Sequence, residues 1–283
     1  MVAVQLSGGL GNQMFEYALY LKLKALGKEV KIDDFTCYGS GQRTKQLDVF
    51  GLSYDRLTRE EYEKLTDSSM QPAARLRRKL TGRKDLSYRE ADINFDEKVL
   101  ETEPVLLQGC FQTERYFEDI AEEVREAFRF RNFAPNARTR DYERQITESC
   151  SVSVHIRRGD YLDPKYSGLY EGICDEAYYE RAIRQMKALL PDAVFFFFSN
   201  DIGWVKEHYS GEAYVAVEGN GEDTGYADLW LMSKCRHHII ANSSFSWWGA
   251  WLNDAPDKKV IAPKRWLNGR DCRDIYTKEM ILL

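Results

Sequence analysis

The chain is short of the residues on which many familiar chemistries depend. It has four histidines in 283 residues, and its six cysteines (Cys37, Cys110, Cys150, Cys174, Cys235 and Cys272) show no CxxC spacing, so no zinc site is read. There is no P-loop and no GxSxG, and Gly8, Gly9 and Gly11 leave Met14 where the third glycine of GxGxxG would stand. Phosphate-loop, nucleophile-elbow and ordinary dinucleotide readings are therefore disfavoured. Instead of the Asp-x-Asp expected after a strand of a manganese-dependent sugar transferase, Asp33 and Asp34 are adjacent, and no metal is expected. The longest dense apolar run, 193-AVFFFF-198, is strand-sized, well below the ~18 residues of a membrane helix. No charged stretch leads into a long apolar one at the N-terminus, so no signal peptide is read and reduced thiols in the cytoplasm are expected. Positive charge is not in excess either: 40 Lys and Arg face 45 Asp and Glu, for a net charge of −5. That balance argues against a nucleic-acid partner and makes any basic ligand site a local one.

What is present describes a folded protein of two parts. With 43% apolar residues and 13% aromatics, the chain can bury a core, and its length suits two domains at ~100–200 residues each. The segments 2-VAVQL-6, 13-QMFEYALYLKLKALG-27 and 29-EVKID-33 read as a βαβ unit whose helix ends at a glycine. From 35 to about 100 the chain is polar and mixed, and short helices and loops are expected. A strand at 104–111 precedes a helix at 113–128, and the domain crossover is placed within 131–149. The second half alternates regularly: strands 151–156, 193–199, 213–217, 237–241 and 259–263, with helices 175–191, 202–209, 225–235 and 246–253 between them. The expected fold is α/β, two doubly wound halves (1–149 and 150–283) facing a cleft, with ligands at the carboxyl ends of parallel strands.

That rule directs attention to the strand ends. The first strand runs into 7-SGGLGNQ-13, where Gly9, Gly11 and Asn12 could bring backbone N–H groups against an anion or sugar; a tight βα turn accounts for the same glycines. The strand 151-SVSVHI-156 runs into Arg157, Arg158, Gly159 and Asp160. Strand alternation sends adjacent side chains to opposite faces, so one arginine is expected to be held by Asp160 or another carboxylate while the other reaches the ligand. His155 either contacts a base or satisfies the core. Asp201 caps the helix after 193–199 or meets a ligand. After 237–241 come Asn242, Ser243, Ser244, Phe245 and Ser246, more hydroxyls than one cap requires and suited to a phosphate. Asp228 suits its helix start or, facing the cleft, the paired N–H donors of guanine. Trp247, Trp248 and Trp251 lie at helical spacing and read as packing.

Taken together, 155-HIRRGDY-161, 6-LSGGLGNQMFEYA-18 and 240-IANSSFSWWGAWL-252 resemble the α-1,2-fucosyltransferases of glycosyltransferase family 11 in their compact bacterial form, over the whole chain and in order. The resemblance implies a GT-B-like fold of two Rossmann-like domains and transfer of L-fucose from GDP-β-L-fucose to the 2-hydroxyl of a terminal β-galactoside, with inversion and without a metal. It implies Arg158 on the donor β-phosphate, Arg157 and His155 along the nucleotide, Asp228 on guanine, residues 243–246 along the diphosphate and Asn12 near the β-phosphate or sugar. Asp160 and Asp201, both at strand ends, could serve as base, and Asp160 is the candidate, unless the leaving phosphate takes that part. The expected partners are the donor and a β-galactoside acceptor, with at most peripheral membrane contact. The alternatives are another nucleotide-sugar transferase or a non-catalytic glycan- or nucleotide-binding module.

Overall fold

A computed structural model describes residues 1–38, 44–158, 165, 167–221 and 224–283. The chain divides into two compact units, Met1–Arg131 and Asn132–Leu283. In the first, β1 (Val2–Gln5), α1 (Leu10–Ala25) and β2 (Val30–Asp33) form the expected βαβ unit. They are followed by α2 (Arg59–Leu65), α3 (Pro72–Thr81), β3 (Ser87–Arg89), α4 (Lys98–Glu101), β4 (Val105–Gln108) and α5 (Ala121–Ala127). The sheet has the order β2-β1-β4-β3 and is parallel throughout. α1 begins directly after Gly9, three residues earlier than its apolar pattern suggested, so Gly11 and Asn12 belong to its first turn. Gly27 sits at φ +77 beyond its end, the left-handed geometry that glycine adopts without steric cost.

The helix expected at 113–128 is interrupted. Short 3₁₀ turns at Glu114–Tyr116 and Glu118–Ile120 precede α5, and Thr113 caps only the first, accepting from Arg115 N at 3.2 Å. The adjacent rings of Tyr116 and Phe117 are both buried, and the backbone leaves helical geometry at Phe117 (φ −143).

The second unit contains α6 (Ala137–Thr147), β5 (Cys150–Ile156), α7 (Ser167–Tyr170), α8 (Glu176–Leu189), β6 (Ala193–Ser199), α9 (Ile202–His208), β7 (Tyr214–Ala216), α10 (Gly225–Lys234), β8 (His237–Ile239), α11 (Ser244–Trp251), β9 (Val260–Ala262) and β10 (Met280–Leu282). The units divide at 131/132, not at 149/150, because α6 packs on α10 and β5. The six-stranded parallel sheet runs β10-β9-β8-β5-β6-β7. The chain leaves β5 in one direction through β6 and β7, then returns to build outward through β8. The carboxyl ends of β5 and β8 thus flank a topological switch point, where open α/β sheets bind ligands.

The two faces of β5 are distinct. Val152, Val154 and Ile156 pack into a core with Tyr178, Ala182 and Met186 of α8 and Val205 of α9. On the other face, Ser153 bonds His238 Nδ1 at 2.8 Å and the His155 ring lies 5.6 Å from that of Phe245. The tryptophans of α11 are packing residues, as their spacing indicated: Trp247 and Trp248 are fully buried, and Trp247 Nε1 donates to the Ile275 carbonyl at 2.7 Å.

Candidate active site

At the switch point a cavity of about 680 Å³ is lined by Arg157, Arg158, Asp175, Tyr179, Trp204 and Asn242, among others. His155 is the last inward residue of β5 on the α11 side, buried at 5% exposure. The Tyr179 hydroxyl fixes the strand there by donating to the His155 carbonyl at 3.0 Å. His155 Nδ1 has no hydrogen-bond partner among the described residues, a costly state for a buried polar atom. Burial, with the Arg157 charge adding to it, pushes the imidazole pKa down to about 3. The ring is therefore neutral at any ordinary pH and offers a hydrogen bond, not a proton reservoir.

The two arginines occupy different surroundings. Arg158 N donates to Asn200 Oδ1 at 3.0 Å and its Nε to Asp201 Oδ2 at 3.1 Å. Its guanidinium carbon lies 4.4 Å from the centre of the Trp204 ring, within cation–π range. Asp201 Oδ1 also accepts from Trp204 N at 3.2 Å, so one carboxylate caps α9 and holds the arginine. Arg157 carries the charge felt by His155. β5 ends at Ile156, and both arginines line the cavity beside Asp175, Tyr179 and Trp204. Asp201 is thus a carboxylate that holds Arg158; Asp160 lies outside the described residues.

Asn242 is buried and donates to the Trp266 carbonyl at 2.9 Å. Ser243 occupies the N-cap of α11 without a side-chain cap bond, and Ser244 opens the helix. Ser246 is fully buried and turns its hydroxyl to the carbonyls of Ala241 and Ser243, both at 3.3 Å; its side chain is occupied within the helix start. Phe245 bridges His155 and α10, where Gly225 approaches its ring. Asp228, one turn along α10, accepts from Asn220 Nδ2 at 2.6 Å. Burial raises its pKa to about 6, against the lowering effect of that amide. His155, Phe245, the start of α11 and α10 thus form one wall at the switch point.

Gly9, Gly11 and Asn12 lie in the first unit. Gly9 is the N-cap of α1, while Asn12 Oδ1 accepts from Gln112 Nε2 at 2.9 Å and its Nδ2 donates to Cys110 Sγ at 3.3 Å. Two carboxylates overlooked in the sequence organise this strand-end layer. Glu16, fully buried, accepts from Ser7 N (2.8 Å) and Ser7 Oγ (2.6 Å). Glu90 accepts from Cys110 N (2.7 Å) and Phe111 N (3.0 Å), and burial pushes its pKa up to about 7. Glu16 was detectable as a lone acid within an apolar helix pattern; Glu90 had no local signal. Trp204 and Tyr179 were missed because their partners, Arg158 and His155, are distant in sequence, and Asn220 because its bond to Asp228 depends on how the segment before α10 folds back on the helix. Among the described residues no group of three or more His, Cys, Asp or Glu is arranged to hold a metal ion.

The profile of glycosyl transferase family 11 matches residues 88–282. An α-1,2-colitosyltransferase of Escherichia coli is 34% identical over 94% of this chain and 92% of its own length. The chain belongs to glycosyltransferase family 11. The O-antigen biosynthesis glycosyltransferase WbnK of E. coli is 32% identical over 94% of this family member and 95% of its own length. The human galactoside α-(1,2)-fucosyltransferase 1 is 33% identical over 36% of the chain and 28% of its own. Among solved structures, fucosyltransferase NodZ from Bradyrhizobium is matched over 88% of this chain and 91% of its own at 15% identity and a TM-score of 0.45, too distant to carry residue roles. As a family 11 member the chain is a glycosyltransferase.

Proposed function

We propose that the protein transfers L-fucose from GDP-β-L-fucose to the 2-hydroxyl of a terminal β-galactoside, with inversion and without a divalent cation. The observation that carries this reading is the set of groups at the switch point: a neutral His155 with a buried, unpartnered Nδ1, Arg157 in the cavity lining with its charge acting on His155, the start of α11, and Asp228 on the adjoining helix. This composition fits a guanosine diphosphate. An ionised Asp228 accepts the paired N–H groups of guanine, His155 hydrogen-bonds along the nucleotide, and Arg157 faces the diphosphate with the N-terminal dipole of α11.

Loss of GDP from the donor leaves an oxocarbenium-like sugar and places negative charge on the β-phosphate. A guanidinium fixed there interacts more strongly with the transition state than with the ground state. In this reading the two arginines take the reverse of the roles the resemblance implies. Arg158, gripped by Asp201 and Trp204, supports the strand end, and Arg157 takes the diphosphate. Asp201, whose two oxygens serve Arg158 and the α9 cap, is not assigned as the base.

A second donor is favoured by the 34% identity to a colitosyltransferase: colitose is the 3-deoxy counterpart of L-fucose, so the same nucleotide site serves both. The test is incubation of the purified protein with GDP-fucose, GDP-colitose or GDP-mannose and a panel of β-galactosides, with EDTA present and absent, and NMR assignment of the linkage. Fucα1-2Gal formed at the same rate with EDTA is expected. Exclusive use of GDP-colitose would support the second reading, and use of GDP-mannose alone or strict metal dependence would contradict the proposal.

A further inference from the structure

The basic run at residues 75–84 remains outside the functional reading, and its structure is unusual. α3 has no buried residue, yet it carries an apolar stripe. Leu80 and Leu76 are 76% and 60% exposed and Met70, just before the helix, is 71% exposed, the three highest values for large apolar side chains among the described residues. Leu76 and Leu80, four apart, share one face with Ala73. The opposite face is fastened to the body: Arg77 pairs with Asp67, and Arg78 donates to the carbonyls of Asp67 (3.1 Å) and Ser69 (2.6 Å). Past the helix, Arg83 Nε donates to the Thr66 carbonyl at 2.9 Å. α3 is therefore held with its leucines turned outward, an arrangement that gains nothing from internal packing.

The charge around the stripe indicates what covers it. Residues 68–84 contain six basic residues and no Asp or Glu, in a chain of net charge −5. Arg75 and Lys79 are exposed beside the leucines, and neither they nor Lys84 has an ion pair among the described residues. An apolar stripe bordered by long cationic side chains matches an anionic bilayer surface, with leucines entering the acyl boundary and Arg and Lys reaching the headgroups. We infer that α3 docks the first unit on an anionic lipid surface. A ten-residue helix buries too little apolar area for permanent anchoring, so the association is weak, reversible and sensitive to salt.

The test is co-sedimentation of the full chain with vesicles of phosphatidylcholine alone or mixed with phosphatidylglycerol. The wild type is expected on the anionic vesicles only and to be released by high salt. Arg75→Gln with Lys79→Gln should weaken partition roughly thirtyfold, at about 1 kcal/mol per cation. Leu76→Gln with Leu80→Gln should abolish it, with transfer to a soluble acceptor unchanged in both variants as the check on folding. Absence of wild-type binding, equal binding to both vesicle types, or unaltered partition of the variants would overturn the inference. So would self-association of the wild type that the leucine variant loses, which would assign the stripe to a second copy of the chain.

Discussion

Arg158 and Asp228 show how differently polar residues behave at one strand-end layer. The Arg158–Asp201 pair is partly solvent-exposed, at 26% and 44% of the side chains, so its Coulomb energy is screened; its value is geometric, since Asp201 also caps α9. Alanine at Arg158 and at Asp201 should each lower stability by roughly 1 kcal/mol. The double variant should be less destabilised than the sum in urea unfolding, and strict additivity would show that the two do not act as a unit. Asp228 works through its charge. Its folded pKa is raised from the ordinary carboxylate value to about 6, and only the ionised form accepts two N–H donors. GDP affinity measured by calorimetry should therefore rise from pH 5 to pH 7 and level off above, while Asp228→Asn should bind weakly with no such rise. The arginine pair, the serine cluster and Asp228 could be picked out from the sequence because they sit at strand ends or helix starts. The holding of Arg158 could not, because its partners lie more than forty residues away and become neighbours only when β6 pairs with β5.

Elements that bury a continuous face were readable, as β5, β6 and α8 show. The two strands that escaped, β3 and β10, have three residues each and lie at sheet edges, so neither shows enough alternation to be recognised. α10 and α11 supply one wall of the site, and their spacing depends on Gly249: a Cβ there would come within 2.9 Å of Met232 Cβ. The obstruction is close to the backbone, so the helices themselves must move apart. Gly249→Ala should cost about 1–3 kcal/mol, seen as a lowered thermal midpoint, together with weaker GDP binding as Phe245 and Asp228 shift. Unchanged stability would mean the helices are more loosely packed than described.

At the scale of the whole molecule, the two units carry opposite buried titrations. In the second, His155 is held neutral with its pKa near 3, and burial lowers that of His238 as well. The unfolded chain binds those protons more readily below its ordinary histidine pKa, so this unit loses stability as pH falls from about 6.5. Asp228, with its raised pKa, offsets part of that loss. In the first unit Glu90 is raised to about 7 and Glu16 is raised too. Here the folded state binds the extra protons, and stability increases as pH falls from 7 towards the ordinary carboxylate range. All six tryptophans lie in the second unit, so tryptophan-detected unfolding should show a falling midpoint from pH 7 to 5. Hydrogen exchange of first-unit peptides should slow, after correction for the intrinsic rate; a parallel response of both units would refute the assignment. The central claim, that Arg157 faces the leaving diphosphate while Arg158 supports the strand end, is tested most directly by kcat/KM for GDP-fucose in Arg157→Ala. A fall of about 10²–10³ with an unchanged thermal midpoint is predicted, and wild-type turnover in a folded Arg157→Ala protein would contradict it.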